Sequence, residues 1–375
     1  MLDVIVIGVG GMGSAAVYHL ARRGARVLGL EQFDVPHDLG SSHGLTRIIR
    51  LAYWEHPSYV PLLRRAYQLW HDLEDVAGER VLVTTGSIDA GPPGSPIVRG
   101  ALRACRRFDL PHERLSGRSL HTRFPGYNLP ARHVAILQPD GGFLLPERCI
   151  VAHVEAAHAL GATVHARERV IGWTVRRRGV SVRADRGSYQ ARRLVITSGP
   201  WAAKLVDRLD VLLSVERQVM LWTHPARPDR FRPGRFPVFY MQVNEGRFYG
   251  FPIHGIPGFK IGKYHHREQL VDPDTVDRHV DAEDETVLRK AIRRYFPDAD
   301  GPTMAMKVCL FTNTRDGHFI IDVLDDSPFV AIAGGFSGHG FKFCSVVGEI
   351  LAELTLDGGT HHDISLFALS RLAHG

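Results

Sequence analysis

The sequence predicts an α/β fold in which a dinucleotide-binding domain is interrupted by the segments of a second, α+β domain. Asp3–Glu31 has the pattern of a strand, a glycine-rich turn, a helix and a second strand, and apolar strands that suit the same sheet return much later in the chain. Between Val215 and Phe311, alternating aromatic-rich segments indicate a mixed or antiparallel sheet. The first domain is therefore expected to be Rossmann-like and discontinuous.

The opening motif is G-x-G-x-x-G, formed by Gly8, Gly10 and Gly13 directly after an apolar strand. The first glycine permits the tight turn, the second lets the backbone approach a pyrophosphate, and the third lets the helix pack against the sheet. Glu31 closes the second strand, where an acid can accept hydrogen bonds from a ribose. FAD and NAD both fit this motif.

The elements that follow are expected in order along the chain. A polar segment at Gln32–Leu51 is predicted to be a functional loop, and a helix follows it with Ser58 as a cap and Gly78 at its end. Val81–Asp89 has the pattern of one strand. The remaining elements before residue 215 are a helix from Pro146, a three-stranded meander near Val170–Ile196, and a turn at Thr197–Ala202 that opens a short helix.

In the last third of the chain one helix near Glu283–Tyr295 interrupts the second sheet, and strands at His318–Leu324 and Val330–Ala333 return to the first. A final helix follows the glycine-rich turn Gly334–Gly340. These elements place residues 1–82, 145–214 and 312–375 in the dinucleotide-binding domain. Residues 83–144 and 215–311 would form the substrate domain.

Composition excludes several classes of protein. The 375 residues carry a net charge of +6 with no basic tail, which argues against a nucleic-acid-binding protein and suits an anionic small substrate. We expect no membrane span and no secretory signal, because no run of 18 apolar residues or cationic leader occurs. Four widely spaced cysteines predict neither a disulfide framework nor a metal site, and they suit the cytoplasm.

A second glycine-rich turn, before the C-terminal helix, favours a flavin over a nicotinamide. Reduced flavin carries negative charge on one edge of its ring, and backbone N–H groups at a helix start can stabilise that charge. Gly338 and Gly340 form the predicted turn, and Lys342 adds a full cation. FAD is therefore the expected cofactor.

Several stretches identify a family that the chain resembles along nearly its whole length. The chain is similar to the monomeric sarcosine oxidase and N-methyl-tryptophan oxidase family, flavoenzymes that oxidise secondary amino acids. The stretches that carry the resemblance are SSHGLTRIIRLAY (Ser41–Tyr53), FYGFP (Phe248–Pro252), FKIGKYHH (Phe259–His266), KVCLFTNTRDGHFIID (Lys307–Asp322) and GFSGHGFKF (Gly335–Phe343).

The resemblance implies roles for five residues. Cys309 matches the cysteine that carries the flavin covalently, as a thioether to a methyl group of its ring. Arg47 matches an arginine that lies against the ring, while Arg50 and Lys342 match the partners of the substrate carboxylate, which a guanidinium can bind bidentately. Lys260 matches a lysine that assists the reaction with oxygen, because a fixed cation stabilises developing superoxide.

Further positions follow from the same matches. Tyr249 and His265 match residues that shape the substrate side of the pocket, with His266 as the alternative to His265. His43 and Thr46 are expected beside the flavin. Adjacent histidines on a strand point to opposite sides, so this pair does not predict a metal site.

The function that the resemblance implies is oxidation of sarcosine by O2 to glycine, formaldehyde and hydrogen peroxide, by a monomeric enzyme. N-methyl-tryptophan, pipecolate and proline stay open as substrates. A flavin-dependent dehydrogenase that uses a carrier instead of oxygen, and a non-catalytic nucleotide-binding protein, are the rival classes.

Overall fold

A computed structural model describes residues 1–372. Strands within this range, in chain order, are β1 Leu2–Ile7, β2 Val27–Leu30, β3 Arg47–Ile49, β4 Leu82–Thr84, β5 Ser87–Gly91, β6 Glu113–Ser116, β7 Val134–Gln138, β8 Gly142–Leu144, β9 Thr163–His165, β10 Val170–Arg176, β11 Gly179–Ala184, β12 Ser188–Ile196, β13 Leu213–Thr223, β14 Val238–Val243, β15 Gly246–Phe251, β16 Phe259–Tyr264, β17 Thr303–Thr314, β18 Ile320–Leu324 and β19 Ser327–Gly334. The α-helices are α1 Gly11–Arg22, α2 Tyr59–Ala77, α3 Pro96–Arg107, α4 Gly117–Arg123, α5 Pro146–Ala159, α6 Ala202–Leu205, α7 Ala282–Tyr295 and α8 Cys344–Asp357.

The first sheet is built around β1, which pairs in parallel with β2 on one side and with β12 on the other. On its other edge β12 pairs with two strands in turn. Its first half pairs antiparallel with β11, and Leu194–Ile196 pair in parallel with β19. The strands β10, β11 and β12 form the predicted meander, and β18 and β19 form a hairpin. Buried apolar side chains of α1, α2, α5 and α8 pack together on one face of this sheet.

The second sheet has the order β17-β13-β16-β15-β14-β5-β7-β6. Its pairs are antiparallel except β14 with β5, which are parallel, so the sheet is mixed. A phenylalanine-rich core lies between this sheet and α7, where Phe236, Phe239, Phe259 and Phe296 are fully buried. The predicted α/β fold with a mixed second sheet is confirmed.

The structure differs from the sequence prediction at Val81–Asp89. Gly86 has a φ of +76°, and the chain turns there, so the single predicted strand is two strands, β4 and β5. β4 and β3 pair with β8 in a small antiparallel sheet that the sequence did not indicate. The domain boundaries stay a proposal, and residues 373–375 of the predicted first domain lie outside the described residues.

Candidate active site

A cavity of about 580 Å³ lies between the first and second sheets, and both sheets contribute to its wall. At one end its lining includes the first glycine turn and Glu31, and at the other it includes Arg50, Tyr240 and Tyr264. This volume falls in the range of cofactor and substrate pockets. An elongated ligand could therefore reach from the nucleotide motif to the charged end.

The first glycine turn allows the close approach that the sequence predicts. Gly8 has a φ of +85°, and a Cβ built on Gly13 would lie 1.8 Å from the Gly8 carbonyl oxygen. The strand and helix can thus meet only because residue 13 has no side chain. The Glu31 carboxylate accepts hydrogen bonds from the Val9 and Phe33 N–H groups at 2.8 and 3.1 Å, which fixes it beside the turn.

The second glycine turn closes the opposite side of the cavity. Gly338 has a φ of +74°, and a Cβ there would lie 2.4 Å from the ring of Phe311. Gly340 then leads into a short 3-10 helix, Phe341–Phe343, that continues into α8. Both glycines line the cavity together with Lys342.

Arg47 connects the polar loop after β2 with β17. Its guanidinium donates to the carbonyl oxygens of Thr46 and Ser41, each at 3.0 Å, and lies 3.5 Å from the sulfur of Cys309. Arg47 lines the cavity, while Cys309 is 2% exposed and lies directly behind it. The structure therefore brings the predicted tether cysteine and the predicted ring-side arginine into contact.

Lys260 points from β16 into the same loop. Its Nζ donates to the Gly44 and Thr46 carbonyl oxygens at 2.6 and 2.9 Å and to the Thr46 hydroxyl at 3.0 Å. Burial and the nearby Arg47 lower the pKa of Lys260, but three oxygen acceptors match the three donors of an ammonium and favour its charged form. The Nζ of Lys260 is thus buried and held in one position by three hydrogen bonds.

His43 precedes this loop and is 1% exposed. Neither of its ring nitrogens has a hydrogen-bond partner within residues 1–372, and burial lowers its pKa. A neutral imidazole with free polar atoms is consistent with a place beside a bound group.

Arg50 and Lys342 approach the same aromatic ring from two elements. The guanidinium carbon of Arg50 lies 4.7 Å, and the Nζ of Lys342 5.2 Å, from the ring centre of Tyr53. Arg50 donates to both carboxylate oxygens of Glu55 at 3.1 and 3.2 Å, and Lys342 donates to the His339 carbonyl oxygen at 2.7 Å. Arg50 and Lys342 thus lie close to each other, and Arg50 is paired with a carboxylate that the sequence analysis did not include.

A second carboxylate lies behind Arg50. The side chain of Asp89 on β5 is fully buried, and its Oδ1 is 3.5 Å from the Nε of Arg50. Neither of its oxygens has a hydrogen-bond partner in the described part of the chain. Burial raises the pKa of Asp89 to about 7, although Arg50 opposes the shift. Burial and Arg50 lower the pKa of Lys342 to about 7.

The structure places Tyr249 and Tyr264, but not His265, in the lining of the cavity. Tyr264 donates from its hydroxyl to the Ser337 carbonyl oxygen. His265 follows the end of β16 with a φ of +56°, and its Nδ1 lies 2.6 Å from Glu216. The alternative, His266, is buried against Asp284 at 3.1 Å. Tyr264 lies on the same face of β16 as Lys260, because alternate residues of a strand point to the same side.

Several buried polar atoms support a bound cofactor. Ser198 and Thr312 line the cavity, and neither hydroxyl has a partner within residues 1–372. α1 begins at the cavity with Gly10 as its N-cap, and although the Gly11 N–H donates to the Ser42 hydroxyl at 3.3 Å, no side chain of the cap residue covers the helix start. Together with the Glu31 carboxylate, this donor and acceptor set fits the diphosphate and ribose of FAD.

Comparison with known proteins gives the family. The model of the family described as FAD dependent oxidoreductase matches residues 3–354. The chain is 43% identical to the monomeric sarcosine oxidase of Bacillus sp. (strain NS-129), covering 98% of this chain and 96% of that protein. It is 33% identical to the N-methyl-L-tryptophan oxidase of Yersinia pestis (strain Pestoides F), with 98% and 99% covered.

A solved structure agrees over the same length. NikD, described as an unusual amino acid oxidase essential for nikkomycin biosynthesis, superimposes with a TM-score of 0.84 at 26% identity, covering 98% of this chain and 97% of NikD. Across residues 1–372, every helix is too short or too polar to cross a lipid bilayer. The chain belongs to the FAD dependent oxidoreductase family, together with the monomeric sarcosine oxidases and N-methyl-L-tryptophan oxidases to which it is similar.

Proposed function

We propose that this protein is a flavin-dependent oxidase of small secondary amino acids, with sarcosine as its substrate. The observation that carries the proposal is the pair of buried cations, Arg50 and Lys342, which share the Tyr53 ring at one end of the cavity. A carboxylate that enters the cavity would meet two charge-assisted donors there. The overall reaction would be sarcosine, O2 and water to glycine, formaldehyde and hydrogen peroxide.

The proposed cofactor residues surround the remainder of the cavity. Backbone groups of Gly8 and Gly10 would bind the diphosphate, Glu31 the ribose, and the turn at Gly338 and Gly340 the flavin edge. When bound, FAD supplies the hydride acceptor for the substrate carbon and returns the electrons to oxygen. His43, Thr46 and Arg47 would lie beside the flavin ring.

On the substrate side, Arg50 must exchange partners. Its terminal nitrogen donates to Glu55, so an incoming carboxylate competes with Glu55 for the same N–H groups. Lys342 has two further donors besides the one given to His339. The two cations would orient the substrate, and Tyr249 and Tyr264 would limit its size, because both rings line the cavity.

On the oxygen side, Lys260 would act as a fixed charge. Its three hydrogen bonds to the Gly44–Thr46 loop hold the ammonium in place before oxygen arrives. A preorganised cation lowers the barrier to forming an anion without reorganisation at the moment of reaction. This role distinguishes an oxidase from a dehydrogenase that uses a carrier.

Cys309 is proposed as the covalent attachment point. The neighbouring Arg47 guanidinium, 3.5 Å from the sulfur, supports this assignment, since reactive cysteines commonly lie in electropositive surroundings. We also propose a monomer that resides in the cytoplasm. The support is the description of the relatives as monomeric, and the four free cysteines within residues 1–372, which suit a reducing compartment.

The test is a substrate panel with purified yellow protein. Sarcosine, N-methyl-L-tryptophan, L-pipecolate and L-proline are compared by hydrogen peroxide release under air. We expect sarcosine to give the highest kcat/KM. Faster turnover with an artificial electron acceptor than with oxygen would instead support the dehydrogenase.

We expect Arg50→Gln to lower kcat/KM for sarcosine on the order of a hundredfold, mainly by raising KM. Loss of a buried, charge-assisted carboxylate contact has this magnitude. The exposed Arg118→Gln is the matched control and should behave as wild type. An unchanged KM in an Arg50→Gln protein that retains its flavin would show that the substrate carboxylate does not bind at this end of the cavity.

A further inference from the structure

A cluster of four potential metal ligands lies at the C-terminal end of α8, away from the cavity. Glu349 and Glu353 are one helical turn apart on α8, and His361 and His362 follow in the segment after the helix. One ligand atom from each of these side chains lies within 4.8 Å of the other three. α8 begins at Cys344, which lines the cavity, and the cluster extends from the middle of the same helix to the segment beyond its C-terminus.

The four side chains form two close pairs. Nδ1 of His361 lies 2.9 Å from Oε1 of Glu353, and Nε2 of His362 lies 3.1 Å from Oε2 of Glu349. Ligand atoms of a tetrahedral zinc ion with bonds near 2.0–2.1 Å are about 3.4 Å apart. Each pair is thus close to one edge of such a tetrahedron, and the ion would replace the proton that now joins histidine and carboxylate.

The outer partners of a metal site are also present. Arg65 of α2 donates to both oxygens of Glu349, to Oε1 at 2.6 Å and to Oε2 at 2.9 Å, and the other oxygen of Glu353 accepts from the Thr360 hydroxyl. Carboxylates that bind metals are themselves held by hydrogen bonds of this kind. The four side chains are therefore already oriented toward one another, because one oxygen of each carboxylate lies within hydrogen-bond distance of a histidine nitrogen.

The burial of these four side chains also suits a metal site. The side chains of His362, Glu349 and Glu353 are 10%, 15% and 17% exposed, whereas that of His361 is 68% exposed. Three ligands are thus held within the fold, and the fourth lies at the open side through which an ion would enter.

We propose that Glu349, Glu353, His361 and His362 bind one four-coordinate divalent transition-metal ion, and that zinc is the ion. Two imidazoles and two carboxylates favour zinc over magnesium or calcium, which prefer all-oxygen sets. The ion would join α8 to the segment that follows it and, through Arg65, to α2. Its role is structural and independent of the proposed oxidase activity.

The test uses the flavin-containing full-length protein after treatment with EDTA and dialysis. Zinc chloride is titrated at pH 7.5, with bound zinc measured by mass spectrometry after equilibrium dialysis and Tm by thermal shift. We expect one zinc per chain and a Tm increase of about 2–5 °C, with no increase from magnesium chloride. Peroxide release should not change.

The variants are His361→Ala and Glu353→Gln, with His71→Ala as the matched control. His71 forms another histidine–glutamate pair, with Glu74 at 3.0 Å, but within residues 1–372 it does not belong to a cluster of three or more potential metal ligands. We expect zinc affinity at least about tenfold weaker in both variants and unchanged in the control. His361 is exposed, so its replacement does not threaten the fold. Equal zinc uptake by His361→Ala and wild type, or no uptake by wild type at 100 µM zinc (about 10 times an expected Kd near 10 µM), would overturn the proposal.

Discussion

Among single residues, Lys260 offers the sharpest test of the oxygen side. On the proposed role, Lys260→Met should slow reoxidation of the reduced enzyme by oxygen on the order of 10²–10³-fold, because the fixed cation is lost. Anaerobic reduction by sarcosine should change only a few-fold, since substrate binding uses Arg50 and Lys342. Stopped-flow absorbance of the flavin measures both half-reactions.

The matched control for this change is Lys263→Met. Lys263 is on the same strand but faces the opposite side, where its Nζ donates to the His266 carbonyl oxygen. It should retain both rates. If Lys260→Met slowed the two half-reactions equally, the lysine would support the site as a whole and not the reaction with oxygen.

Asp89 predicts a pH dependence of carboxylate binding. Its pKa is raised by burial to about 7, and the pKa of Lys342 is lowered by burial to about 7. As pH rises through 7, Asp89 gains negative charge beside Arg50 and Lys342 loses positive charge. Both changes weaken anion binding, so the Kd of a small carboxylate should rise on the order of tenfold from pH 6 to pH 9.

Asp89→Asn should reduce this rise, because only Lys342 then titrates. Propionate is a suitable probe, since it has no amine to titrate, and the flavin absorbance change reports its binding. Asp325→Asn, at a side chain that is 80% exposed, is the control. A pH profile of propionate binding that is identical in Asp89→Asn and wild type would show that Asp89 does not influence carboxylate binding by Arg50 and Lys342.

These residues also show which site positions could be predicted from the sequence and which could not. Cys309, Arg47 and Lys260 could be assigned by resemblance, and the structure brings them together. Asp89 could not, because its contact with Arg50 joins β5 of the second sheet to the residue after β3, and no local pattern specifies this contact. Tyr264 was predictable in principle: strand alternation puts it, and not His265, on the face of Lys260.

Among the structural elements, the β1–α1 unit depends on one glycine. A Cβ at residue 13 would lie 1.8 Å from the Gly8 carbonyl oxygen, so Gly13→Ala must move α1 away from β1. We expect flavin content below about a tenth of wild type, together with a lower Tm. The ratio of flavin to protein absorbance measures the first effect.

Gly172→Ala is the matched control, because a Cβ there meets no atom within 4 Å and its backbone is not in the left-handed region. Its flavin content should equal that of wild type. Normal flavin content in Gly13→Ala would mean that the contact can relax without cost to the nucleotide site.

The β1–α1–β2 unit was also the part of the fold best predicted from sequence. The strand expected at Asp3–Gly8 is Leu2–Ile7, because glycine spacing and apolar runs act locally. The small sheet of β3, β8 and β4 was not predicted. Its strands have three residues each, which is too short for a period to be recognised, and they come from distant parts of the chain.

At the scale of the whole molecule, the cavity lies where the two large sheets meet, so the cofactor would contact both. A ligand that binds only the folded state stabilises it in proportion to the logarithm of its concentration. If FAD is attached through Cys309, this dependence disappears, because the cofactor cannot leave on dilution. Covalent attachment of FAD should then make the stability of the folded protein independent of the concentration of free FAD.

Cys309→Ser separates the two cases. We expect wild-type protein precipitated with acid to retain its yellow colour and its Tm to be the same with or without added FAD. The variant should release the colour into the supernatant, and its Tm should rise by several degrees, about 2–4 °C per kcal/mol of binding, as FAD is added. Cys344→Ser is the control, because Cys344 is a second buried cysteine at the cavity and should leave the attachment intact. Colour retained on the Cys309→Ser polypeptide would assign the attachment to another residue, while colour released from wild type would mean that the two sheets are held together around a cofactor bound only by noncovalent contacts.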